Sequence, residues 1–62
     1  MTIIITRVGN ENARVDMEIY LAVHDELAER FEAAGLVGEE LDVAIVAELP
    51  TALAAVFAAT MH

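Results

Sequence analysis

Residues 2–8, TIIITRV, are β-branched almost throughout and too few for a helix, which predicts a strand. Gly9-Asn10-Glu11-Asn12 follows as a turn cluster, rich in residues that tolerate positive φ. Next, Val15, Met17, Ile19 and Leu21 alternate with Asp16, Glu18 and Tyr20, a period of two with one apolar and one wet face. Strand, turn and strand make a β-hairpin, with Arg14, Asp16, Glu18 and Tyr20 on its solvent side, although the Tyr20 ring is equally placed to pack under the following helix.

From about Val23 the period lengthens. Val23, Leu27, Phe31 and Ala34 recur at helical spacing, with Asp25, Glu29 and Glu32 on another side. Asp25 and Glu26 at the start suit the positive end of a helix dipole, Glu26 and Arg30 are four apart, and Gly35 is a natural stop. A helix over 23–34 is expected. Gly38-Glu39-Glu40 then reads as a second helix start, and Leu41, Ile45 and Leu49 continue at i+4. Leu41, Val43, Ile45 and Ala47 also alternate, as a third strand would. Frequent alanine favours helix. Pro50 either kinks that helix or opens a new one at its first turn, and the alanine-rich 51–60 is helical by propensity. The expected fold is α+β: an N-terminal hairpin packed on two or three short helices. Val15, Met17, Ile19, Leu21, Leu27, Phe31, Ile45, Leu53 and Phe57 form its expected core.

The chain has 62 residues, one domain near the lower size limit for a core without staples, and it has no cysteine. At 58% apolar residues, a sphere this small has difficulty hiding its own side chains. Part of the apolar surface then calls for cover by a partner or a second copy. A membrane span is disfavoured, because the oiliest run, Leu49 to Met61, is shorter than the roughly 20 residues needed and Asp42 and Glu48 precede it. No basic, apolar and small-residue leader pattern opens the chain, so a cytoplasmic location is expected.

Charge changes the picture most. Eleven carboxylates face three arginines, lysine is absent, and the net charge is −8. Such a field repels nucleic acid and anionic lipid and attracts basic surfaces. Catalytic equipment is sparse. Serine, cysteine and lysine are missing, the threonines have no base arrangement, and Gly9, Gly35 and Gly38 are too scattered for a phosphate loop. His24 lies beside Asp25 and Glu26, and His62 ends the chain, but neither joins carboxylates at metal-ligand spacing. The GNEN loop lacks the ligand ladder of a calcium site. No cofactor, no metal and no enzymatic activity are expected. The activity is binding.

Carboxylates are therefore the one remaining constellation: Asp25, Glu29 and Glu32 as a helix ridge, Glu26 on its flank, Asp16 and Glu18 on the second strand. Acidic side chains three or four apart on a helix lie about 5–6 Å apart at Cβ, close enough to imitate a short row of phosphates. The plainer alternative is a solvated face that keeps an oily domain soluble, although such a face normally mixes lysine with glutamate.

Those carboxylates, the small size and the missing lysine, serine and cysteine give a profile that resembles the phage-encoded anti-CRISPR proteins. It looks most like an inhibitor of a type I (Cascade) system such as type I-C. The resemblance spans the whole chain and rests on size and charge, with no diagnostic motif. It implies a DNA mimic whose partner is a basic protein surface on a DNA-binding subunit of a CRISPR effector complex. It further implies that the cytoplasm in question is that of a bacterial host cell; by its charge the chain is expected to bind no nucleic acid itself, and monomer or homodimer stays open. The competing reading is a small antitoxin or regulator that buries Leu53, Val56 and Phe57 of an apolar C-terminal helix in its partner.

Overall fold

The computed structural model describes residues 2–60, so His62 and Met61 lie outside the described residues. Two antiparallel strands, β1 (Ile3–Val8) and β2 (Glu11–Asp16), are followed by α1 (Met17–Ala33) and α2 (Gly38–Thr60). The protein is thus α+β, a hairpin followed by two helices. The pairing Ile4↔Val15 and Thr6↔Ala13 turns one side inward, and Ile5↔Arg14 and Arg7↔Asn12 turn the other outward. Gly9 occupies the first position of the two-residue turn at φ +63, the left-handed region that glycine enters without cost. Its N–H donates to the Pro50 carbonyl at 2.9 Å, tying the hairpin tip to α2. A β-carbon at Gly9 would meet only ordinary contact from Ala54. The cost of Gly9→Ala is therefore conformational, about 1–2 kcal/mol, and a urea titration should lower the midpoint without changing the slope.

The second strand is shorter than its alternation predicts. It ends at Asp16, where extended backbone lets the carboxylate accept the Glu18 N–H at 2.9 Å and cap α1. Met17 donates to the Thr2 carbonyl at 2.8 Å, and the helix begins six residues earlier than expected. Met17, Ile19 and Leu21 consequently leave the predicted core and stand exposed, because helical geometry scatters positions that a strand would align. Tyr20 takes the packed alternative, half-buried against the core as part of α1, with its ring 6.3 Å from that of His24. Asp25 and Glu26 are mid-helix, and Glu18 takes the first-turn position. The far end is as expected. Gly35 at φ +97 donates to Glu32 and Leu36 donates to Phe31, a Schellman stop with an apolar pair across it.

Residues 38–60 form a single helix that passes through Pro50 without restarting. Its 23 residues make it long rather than short. Ile45, Leu49 and Leu53 are buried with Val15, Val23 and Leu27, while Phe31 and Phe57 pack half-buried around them. Segment 41–48 is helical because its i, i+4 residues meet α1, whereas Val43 of the competing alternation faces solvent.

Candidate partner-binding face

At about 100° per residue, α1 sets Glu18, Asp25, Glu29 and Glu32 within a sector of roughly 60°, directly opposite Leu27. Leu27 is buried against α2, so all four carboxylates point away from the core and are exposed. They run the length of the helix, about 21 Å from Glu18 to Glu32 at 1.5 Å per residue. The early start of α1 creates this row, for it moves Glu18 from a strand onto the line of the other three.

Glu26 is exposed on the flank, where it lines a shallow groove with Arg30 and α2. Asp16 does not join the row. It is half-buried, and one carboxylate oxygen is committed to the Glu18 N–H. None of the described charged residues is buried. Arg7 and Arg14, two of the three cations, occupy the outer face of the hairpin, so α1 presents five carboxylates against Arg30 alone. Exposed Met17 and Leu21 border the row on one side. The face is therefore acidic with an apolar margin, suited to a basic surface carrying aliphatic stems of lysine and arginine.

The row is maintained against the helix's own interest. Asp25–Glu29, Glu26–Glu29 and Glu29–Glu32 are like charges at i,i+4 or i,i+3, each costing a few tenths of a kcal/mol. Glu32 also sits in the last turn, where the dipole favours cations. Among the described residues, no three His, Cys, Asp or Glu side chains gather as a metal site would require.

Residues 36–47 contain a second surface that the strand-or-helix ambiguity hid. Val43 and Val46 are 63% and 67% exposed on α2, and half-buried Leu36 lines a groove with Val43. The signal was present in the sequence: positions 43, 46, 47 and 50 are apolar at helical spacing, in addition to 41, 45, 49 and 53. By length and composition, Gly38–Ala59 could also cross a membrane. Its inward residues are nevertheless the core of this fold, and Glu39, Glu40, Asp42 and Glu48 lie along it. No protein-family model, curated protein or solved structure matches the chain.

Proposed function

We propose that this protein is a non-catalytic inhibitor of a type I CRISPR effector complex, acting as an acidic mimic of DNA. The observation that carries this reading is the single row of Glu18, Asp25, Glu29 and Glu32 opposite Leu27, with Glu26 beside it. A face shaped only by solubility would gain helix stability from lysine at alternate positions, yet here like charges are held together over about four turns. The complementary surface is basic, and the grooves that grip nucleic acid are large basic surfaces. Competition is steric and electrostatic: long-range attraction speeds encounter, and the close contacts of the row set residence time. The competing reading, an antitoxin-like binder using the C-terminal helix, loses Leu53 to the core but keeps exposed Val56 and half-buried Phe57 as contacts.

The test is the salt dependence of binding to a purified effector complex. Raising ionic strength from about 0.1 M to about 1 M shortens the Debye length from about 10 Å to about 3 Å. Affinity is expected to fall about tenfold or more across that range. A dissociation constant unchanged by salt would remove the electrostatic mechanism and favour an apolar contact.

A further inference from the structure

α2 leaves Val43 and Val46 63% and 67% exposed in the middle of its outward side. The apolar surface continues along the helix from these two residues. One groove on α2 is lined by Leu36, Val43 and Ala47, with Glu39 and Glu40 at its end. A second continues from Ala47 through Val46 to Pro50, with Arg7 on its border. Together they form a track along α2 with carboxylates at one end and an arginine at the other.

This arrangement is self-complementary. A two-fold axis near Val43–Ala47 superposes the apolar middle of the track on itself and exchanges its ends. Arg7 of each copy then meets Glu39 and Glu40 of the other. The helices run antiparallel, which separates the two acidic first turns and opposes the helix dipoles. A parallel pairing would bring Glu39, Glu40 and Asp42 of both copies together. We infer that the occupant of this face is a second copy of the chain, forming a symmetric dimer through α2. The row on α1 lies outside the track, so dimerisation and partner binding are compatible.

Sedimentation equilibrium of the intact chain from about 1 to about 300 µM tests the inference, with the parent expected to reach dimer mass. Val43→Glu with Val46→Glu, both exposed positions, is expected to keep its helical circular dichroism and sediment as a monomer. Arg7→Glu alone, and Glu39→Arg with Glu40→Arg, are each expected to weaken association at least about tenfold, through like charges at both ends of the track. Mixing those two variants restores both charge pairs in a heterodimer, so association is expected to return. A parent that stays monomeric throughout, or a folded Val43/Val46 variant that still dimerises, overturns the inference. Failure of the mixed variants to associate overturns it too, as does a monomeric parent that co-sediments with phosphatidylcholine vesicles, which would give the face to a bilayer.

Discussion

Glu29→Lys combined with Glu32→Lys is expected to yield a folded protein that no longer keeps DNA off the effector complex. Both side chains are exposed, so the core is untouched. The helix is expected to gain slightly, up to about 1 kcal/mol, because both changes suit its local electrostatics. A lysine in place of Glu29 would face Asp25 and Glu26 as favourable i−4 and i−3 partners. A lysine in place of Glu32 would sit at the cation-favouring end of the dipole. Binding moves the other way. Reversal turns two attractions into two repulsions in a basic groove, and affinity is expected to drop at least about 100-fold. The pairing of higher stability with lost inhibition separates a functional row from a merely solvated face. Glu11→Lys with Glu48→Lys gives the same net charge of −4, from −8 plus four, and is expected to retain inhibition because neither residue belongs to the row. Equal loss from both double variants would assign the effect to overall charge.

Leu53→Ala is expected to unfold the domain at ambient temperature or leave it on the edge of unfolding. Leu53 is fully buried where α2 crosses α1 and the hairpin, and losing its three outer carbons leaves a cavity costing about 2–5 kcal/mol. A domain of this length has about 3–9 kcal/mol in total, at roughly 0.05–0.15 kcal/mol per residue. Glu48→Gln, five residues earlier on the same helix, exposed and outside the track, alters surface instead of core. It should shift stability by less than about 0.5 kcal/mol. Urea titrations of both variants followed by circular dichroism check the contrast. A Leu53→Ala midpoint equal to that of Glu48→Gln would mean that α2 does not pack as described.

The sequence was most informative where one residue type permits only one backbone. β-branched Ile3–Val8 made β1, Gly9 its turn, and Gly35 the stop of α1. It misled at residues 15–21, which satisfy two periods at once. Val15, Met17, Ile19 and Leu21 alternate as a strand would, yet Tyr20, Val23, Leu27 and Phe31 also continue a helical stripe. Asp16 decides between them, since its side chain caps the helix and its extended backbone ends the strand. Of the expected site, the ridge Asp25, Glu29 and Glu32 depended only on spacing within a helix and was legible. Glu18 reached the row, and Asp16 left it, through a boundary that spacing does not report. For α2, the i+4 pattern of Leu41, Ile45 and Leu49 was the genuine one, whereas the alternation failed: Val43, which it placed with Ile45, stands exposed with Val46, which it placed opposite.

The most direct test of the central claim is to measure target DNA loading onto a purified type I effector complex at rising concentrations of this protein. DNA mimicry predicts competitive behaviour: loading falls, excess DNA restores it, and the half-inhibitory concentration rises in proportion to DNA. DNA loading unaffected by saturating protein, or inhibition that no amount of DNA reverses at equilibrium, would contradict the account.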